Sequence, residues 1–338
     1  MKAIWLSAHG SAANFCEVDL PVPKLGPGDV RIRVRAIAFN PIDVQLRSGS
    51  VPNAPVNTCV AAPVLGRDLS GTVDAVHESV KAFRPGDEVY SYICLRSSSG
   101  AYAEYVCVPE ELVALKPARL THQEAASVPV AAITATLALQ RTRADSANSM
   151  LVIGGAGGVG SFVIALAQEL GLQRLVTTAG NAASRDYLTG ECGLRDDQVM
   201  DYRRGGLARI ALAANAGAFD VVIDLVGGLM LSEGCKALAI GGYLASTTEG
   251  PSRDDIEILF ERNASFHAIG AHADALSRDR RRWMKYRACL DRITTGLDSG
   301  SLRLPRVTDL GPLSVATVRR AHDLLEAGGV QGKLVMSC

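Results

Sequence analysis

The sequence lacks the features that would mark it for a nucleic acid, a membrane or an oxidising compartment. It has no net charge: lysine plus arginine and aspartate plus glutamate both number 35. No electrostatic footprint therefore argues for nucleic acid or an anionic membrane surface. The uncharged stretch Ala125 to Leu139 holds Pro129, Ser127 and two threonines, short of the roughly 18 apolar residues that a bilayer span needs. The opening MKAIWLSAHG turns polar too soon for the apolar core of a signal peptide. Eight cysteines, at positions 16, 59, 94, 107, 192, 235, 289 and 338, form no C-x-x-C pair and follow no regular spacing. They read as reduced thiols, not as zinc ligands or a disulfide framework. No repeat or low-complexity segment stands out, and the basic run RDRRRWMKYR at 278 to 287 reads as a solvated helix face. What remains is a cytoplasmic protein whose 338 residues suggest two domains.

Glycine is plentiful, with 33 residues, and its placement organises the chain. Up to about residue 120, short runs of period-two alternation (VRIRVRAIAF, SGTVDAVHES, DEVYSYICL, AYAEYVCV) are punctuated by LGPGD and RPGD turns, which predicts a compact β-barrel or sandwich. From about 123, apolar runs (SMLVIGG, RLVTTAG, QVMDY, FDVVIDLVG, GYLAST, SFHAIG) alternate with helical segments, which predicts βαβ units and an α/β parallel sheet with helices on both faces. A last helix, VATVRRAHDLLEAG, and a short strand, GKLVMS, are free to close back onto the first part.

The stretch LVIGGAGGVGSFVIALAQEL contains G-x-G-x-x-G from Gly155 through Gly157 and Gly158-Val159 to Gly160, after a predicted strand and opening a predicted helix. Such a turn lets a pyrophosphate approach backbone with no Cβ in the way and meet free N–H groups at the helix start. This predicts dinucleotide binding. About 20 residues on, where an acid usually binds the ribose 2′-OH of NAD, the chain reads RLVTTAGNAASRDY. No acid ends that strand, and Gly180, Ser184 and Arg185 follow it. A carboxylate there would repel a 2′-phosphate, whereas arginine and small hydroxyl residues accept one, so NADP(H) is favoured over NAD(H). The alternative is that Arg185 is an ordinary solvent-facing helix residue.

Taken in order, PGDVRIRVRAIAFNPIDVQLRSG, VLGRDLSGTV, FRPGDEVY, GAYAEYV, EAASVPVAAITATLAL, GGAGGVGSFVIALAQ, VIDLVGG and GKLVM resemble the medium-chain dehydrogenase/reductase superfamily over nearly the whole chain. The resemblance implies a GroES-like β-barrel catalytic domain over 1–122 and 296–338, interrupted by a Rossmann NADP(H)-binding domain over 123–295. Zinc alcohol dehydrogenases of this family place a cysteine where this chain has Phe39-Asn40-Pro41, and Gly-His-Glu where it has Gly66-Arg67-Asp68. Asn40 and Arg67 cannot replace those ligands, and between Tyr92 and Gly100 only Cys94 remains of a four-cysteine structural lobe. No metal is expected. Asn-Pro-x-Asp at Asn40 to Asp43 instead resembles the zinc-free quinone oxidoreductase, alkenal reductase and enoyl reductase branch.

Carried over from that branch, Gly157, Gly158 and Val159 lie along the pyrophosphate, Arg185 and Tyr202 approach the 2′-phosphate, and Thr134 lies near the carboxamide. Val226 and Gly227 form the loop under the nicotinamide ribose, and Gly332-Lys333 closes the site. Asn40 is the polar side chain nearest the substrate, with Asp43 structural. Many members have a tyrosine where this chain has Val51, in Gly49-Ser50-Val51-Pro52. Valine carries no proton, so a proton donor must be water or another group, with Tyr92, Cys94 and His267 as loose candidates and a structural role the better reading for His267. The implied activity is hydride transfer from NADPH to a quinone or an α,β-unsaturated carbonyl. Alternatives are a polyketide-type enoyl reductase acting on an enoyl thioester, some of which carry the same valine, and a non-catalytic NADPH-binding protein. An alcohol dehydrogenase is disfavoured by the missing zinc ligands. A homodimer joined through the edge strand SFHAIGAH is expected, with a small molecule as the other partner and neither nucleic acid nor membrane.

Overall fold

The computed structural model describes residues 1–51, 64–93, 100–277 and 279–338. Its strands are β1 (Lys2–Leu6), β2 (Phe15–Asp19), β3 (Asp29–Ala38), β4 (Asp68–Val76), β5 (Glu88–Tyr92), β6 (Tyr105–Pro109), β7 (Val113–Leu115), β8 (Ser149–Ile153), β9 (Arg174–Ala179), β10 (Val199–Asp201), β11 (Phe219–Asp224), β12 (Leu238–Ser246), β13 (Ser265–Ala268), β14 (Val307–Pro312) and β15 (Lys333–Ser337). They fall into two compact units. One comprises Met1–Val130, His272–Gly300 and Val307–Cys338, the other Ala131–Ala271 and Ser301–Arg306.

In the first unit, β1 pairs with β2, while a seven-stranded sheet runs β14-β15-β3-β4-β5-β7 with β6 also on β3. The alternation in DVRIRVRAIA buries Val30, Ile32, Val34 and Ala36, as a half-covered strand requires. The terminal strand β15 adds antiparallel to β3, Val335 opposite Ala38. Phe15, Phe39, Tyr102 and His322 form a buried aromatic cluster, with ring centroids 4.9 to 6.2 Å apart.

The unit boundaries differ from those expected at 122 and 296. The helix Arg280–Ser299, read from sequence as the end of the second domain, belongs to the first unit. Tyr90 Oη donates to the Leu290 carbonyl at 2.7 Å, Thr294 Oγ1 to that of Leu115 at 3.1 Å, and Arg280 pairs with Glu111 at 2.7 Å. Much of the basic run is thereby taken up in pairing: Arg282 and Lys285 bind Asp274, and Arg287 lies over the Phe83 ring at 4.9 Å.

The second unit is a six-stranded sheet in the order β10-β9-β8-β11-β12-β13, every neighbouring pair parallel. Counted within the unit this is 3-2-1-4-5-6, the doubly wound Rossmann order, whose ligand side lies at the carboxyl ends of the strands where the order reverses. Leu151, Ile153, Val176, Met200, Phe219, Val222 and Leu244 fill one core. The unbroken apolar runs of β8 and β11 follow from a sheet covered on both faces.

Among the described residues no helix is long and apolar enough to cross a membrane. Cys16, Cys107, Cys192, Cys235, Cys289 and Cys338 are free thiols; Cys59 and Cys94 lie outside the described residues.

Candidate active site

The glycine turn of the second unit uses its glycines for different tasks. After β8 the chain turns through Gly154, at φ +90°, and enters the helix Gly158–Glu169. A Cβ on Gly155 would lie 2.1 Å from Thr177 Oγ1, and one on Gly160 would lie 2.4 Å from the Gly154 carbonyl oxygen. These two glycines allow β9 and the helix to pack against the turn. A Cβ on Gly157 would meet only the Gly154 oxygen, at 3.6 Å, so this is the open side that a phosphate can approach. Gly158 and Val159 begin the helix, where first-turn N–H groups lack helical partners. The residues present fit a dinucleotide pyrophosphate.

Val226 and Gly227 follow β11, the neighbour of β8. Their conformation is set by Asp224, a residue the sequence reading missed. Its buried carboxylate accepts the N–H groups of Val226 and Gly227, both at 3.1 Å, and the Ser246 hydroxyl at 3.0 Å. An aspartate ending an apolar strand before a Gly-Gly pair is the available signal, because its carboxylate readily caps the turn that follows. Val226 is brought to the glycine turn: a Cβ on Gly154 would lie 3.0 Å from its Cγ2. Thr134 is buried in the helix Pro129–Arg141.

At the end of β9, the structure brings Gly180 and Tyr202 together, since a Cβ on Gly180 would fall 2.5 Å from Tyr202 Oη. Ser184 is buried on the helix Ala182–Gly190, its N–H donated to Asn181 Oδ1 at 2.8 Å. Arg185 is placed otherwise than the resemblance implied. Its guanidinium donates to the Val199 carbonyl at 2.5 Å and to the carbonyl and carboxylate of Asp196 at 3.3 and 3.2 Å. The reason is its position on the helix, which aims it at the segment leading into β10. It is a structural tie.

In the first unit the sheet register assembles a second cluster. Ala38 pairs with both Val335 and Asp68, and Asp68 with Tyr92. Two residues beyond Ala38 lies Asn40, and two before Val335 lies Lys333, so antiparallel pairing sets these side chains opposite one another. Lys333 Nζ donates to Asn40 Oδ1 at 2.5 Å and to Asp68 Oδ2 at 3.1 Å, and Asn40 Nδ2 donates to Asp68 Oδ2 at 2.9 Å. The Val130 N–H completes the set on Asp68 Oδ1 at 2.8 Å. Asn40, Asp68 and Lys333 are all buried. Burial raises the Asp68 carboxyl above its ordinary pKa, against the opposing pull of the Lys333 ammonium, the Asn40 amide and the Val130 N–H.

Beside this triad, Asp43 is also fully buried on the helix Pro41–Ser48. Its Oδ2 accepts the Asn40 N–H at 3.0 Å, the structural role expected of it. Burial raises its carboxyl to about 7 against the opposing pull of the Arg67 guanidinium. Tyr92 is buried with its ring 5.5 Å from that of Tyr286, and its register partner is Asp68. Val51 is half-buried and precedes the segment 52–63. His267 lies in the other unit, stacked on Tyr243 at 6.1 Å, and burial lowers its pKa. Arg67, read from sequence only as a residue that cannot replace a metal ligand, and its neighbour Asp68 are part of this charged core.

Residues 26–118 match the alcohol dehydrogenase GroES-like domain family, and residues 194–336 match a family described as zinc-binding dehydrogenase. A 2-methylene-furan-3-one reductase of Solanum lycopersicum is 31% identical, covering 99% of this chain and 79% of that protein. The chain belongs to the medium-chain dehydrogenase/reductase superfamily, in its quinone oxidoreductase branch. Another relative, the chloroplastic NADPH-dependent alkenal/one oxidoreductase of Arabidopsis thaliana, is 29% identical over the same shares. The solved quinone oxidoreductase of Coxiella burnetii superposes with a TM-score of 0.82 at 27% identity, covering 100% of this chain and 99% of that one. Among the described residues no group of three or more His, Cys, Asp or Glu side chains is disposed to hold a metal, and the Arg67 and Lys333 cations in the buried cluster would repel one.

Two outcomes test the buried cluster. Lys333→Met alone or Asp68→Asn alone orphans a buried partner and should cost about 3–5 kcal/mol in urea unfolding, whereas the double variant should cost clearly less than the sum; additive costs would show that the two side chains act independently. For Asp43, the carboxyl keeps its proton to about pH 7 when folded but only to about 3.8 when exposed. Folding stability is therefore lost as pH rises through that window. The melting temperature of Asp43→Asn relative to the parent should rise between pH 4 and pH 8, and a flat difference would contradict the assignment.

Proposed function

We propose that the chain is an NADPH-dependent, zinc-independent oxidoreductase that transfers hydride to a quinone or to the β-carbon of an α,β-unsaturated carbonyl. The observation that carries this reading is the donor set at Asn40. Asn40 and Arg67 stand where metal-dependent alcohol chemistry of this family needs Cys and His ligands, and the Asn40 amide is instead locked between Asp68 and Lys333. The names of the relatives, alkenal/one oxidoreductase and quinone oxidoreductase, support the acceptor class. NADPH supplies the hydride when bound. The chain's part is to hold the pyrophosphate at Gly157 to Val159, to fix the Val226-Gly227 loop through Asp224, and to offer hydrogen-bond donors to the acceptor oxygen. Asp68 takes one of the two Asn40 amide protons and Lys333 occupies its carbonyl oxygen, which leaves one oriented N–H for charge developing on the acceptor.

The acceptor's own electronics decide how much more is needed. A quinone delocalises the incoming charge, whereas an enone must also gain a proton at its α-carbon. Val51 provides none, so water or Tyr92, on the Asp68 row of the sheet, fills that role. The valine also supports a second reading, a biosynthetic reductase of enoyl thioesters. We further propose a homodimer paired through β13, one of the two edge strands of the six-stranded sheet among the described residues; Phe260 and Ile240 are exposed in the same unit. The six free thiols among the described residues support a reducing compartment, here proposed to be the cytoplasm.

NADPH oxidation should be observed with a benzoquinone or a simple enone, and should be indifferent to a chelator. Chelator-sensitive alcohol oxidation would overturn the reading, and turnover confined to enoyl thioesters would favour the second one. Gel filtration should give a dimer at micromolar concentration; a monomer would remove the β13 pairing.

A further inference from the structure

The carbon of a conjugated carbonyl that takes a hydride also takes an amine, and the cluster at Asn40 contains one. Lys333 Nζ donates to Asn40 Oδ1 at 2.5 Å and to Asp68 Oδ2 at 3.1 Å, on a side chain that is only 6% exposed. As an ammonium it has no lone pair to give; as an amine it is a nucleophile. We propose that Asp68 protects Lys333 from alkylation by the α,β-unsaturated carbonyl that the site reduces, and that without this carboxylate Nζ adds to the β-carbon of the acceptor. This inference rests on the reading that such an acceptor binds at Asn40.

A single amide brings the two reactants together. Asn40 accepts from Lys333 through Oδ1 and gives one N–H to Asp68 Oδ2 at 2.9 Å, which leaves its second N–H for the acceptor oxygen. The β-carbon is three bonds from that oxygen, so the side chain that binds the acceptor also binds the nitrogen that attacks it. An ammonium has three N–H groups, and Asn40 and Asp68 take two of them. If Nζ loses a proton and keeps both bonds, its lone pair occupies the third, uncommitted position.

Asp68 is what keeps that third proton in place. A buried ammonium without a counter-ion gives up its proton readily, and the other charged groups of the cluster do not replace Asp68. Arg67 is itself a cation, and Asp43 accepts the Asn40 N–H through Oδ2 while burial keeps its carboxyl protonated to about pH 7. Lys116 supplies an internal comparison. Its side chain is just as buried, 5% exposed, but its Nζ donates to the Leu120 and Pro117 carbonyls at 2.5 and 3.2 Å and faces Glu88 at 3.4 Å, so all three of its positions are taken.

The addition needs no oxidant or reductant. The Nζ lone pair forms a bond to the β-carbon, the alkene π pair moves toward the α-carbon and the oxygen, and the proton shed by the nitrogen ends on the α-carbon. Nothing leaves, and the chain gains the mass of one acceptor.

The test is peptide mapping by mass spectrometry after incubating the full chain with methyl vinyl ketone and NADP+, which supplies no hydride. Mapping separates an adduct on Lys333 from adducts on the thiols. Lys333 of the parent should stay unmodified, whereas Asp68→Asn should acquire the ketone there at least about tenfold faster. Lys116 should stay unmodified in both, and Asp68→Glu, which keeps the charge, should behave as the parent does. Asp68→Ser, whose hydroxyl still accepts a hydrogen bond, gives the same reading where Asp68→Asn fails to fold. An unmodified Lys333 in a folded neutral variant, or equal rates in variant and parent, would overturn the proposal. NADPH oxidation by the parent with the same ketone separates the proposal from the reading beneath it: no turnover removes both, and turnover without an adduct in the folded variant removes the proposal alone.

Discussion

An ammonium buried between an amide and a carboxylate constrains everything around it. Lys333 is 293 residues from Asn40 and 265 from Asp68, so the end of the chain must return to its first third for any of the three to be satisfied. A buried charge without partners costs several kcal/mol, which makes the pairing of β15 with β3 a requirement of the chemistry as well as of the sheet. The return also explains why the first unit is discontinuous. The six parallel strands are inserted between parts of a sheet that closes only when its last strand arrives.

The architecture was legible because each unit writes its own period. Alternation in DVRIRVRAIA comes from a strand covered on one face, and unbroken MLVI and VVI come from strands covered on both. The glycine turn was legible because Gly155, Gly157 and Gly160 answer three separate steric demands. The helix Arg280–Ser299 was not, since its amphipathic pattern shows that one side is buried but not against which sheet. Only the contacts of Tyr90 and Glu111 settle that.

The candidate site shows the same division. Asn40 and Lys333 were singled out separately by their motifs; their direct contact follows from the register of β3 and β15, which a linear sequence does not state. Asp68 and Asp224 were missed as site residues because each acts by accepting hydrogen bonds from others. Arg185 shows what residue type and spacing leave open. Its residue type and spacing suit a phosphate, but the helix aims its guanidinium at the carbonyl of Val199.

Asn40 and Arg67, at positions where the zinc alcohol dehydrogenases of the superfamily carry ligands, change the chemistry that the unit can assist. A zinc ion promotes alcohol oxidation by making a bound hydroxyl more acidic, so the oxygen gives up its proton before the hydride leaves. An amide and an ammonium do not provide that Lewis acidity. They donate hydrogen bonds, which become stronger as an acceptor oxygen gains negative charge. In this buried setting their orientation is fixed in advance: the Asn40 amide cannot rotate without breaking bonds to both Lys333 and Asp68. On the reading proposed above, that fixed donor would serve the oxygen of a conjugated carbonyl as hydride arrives, and its value depends on Asp68 holding it in place.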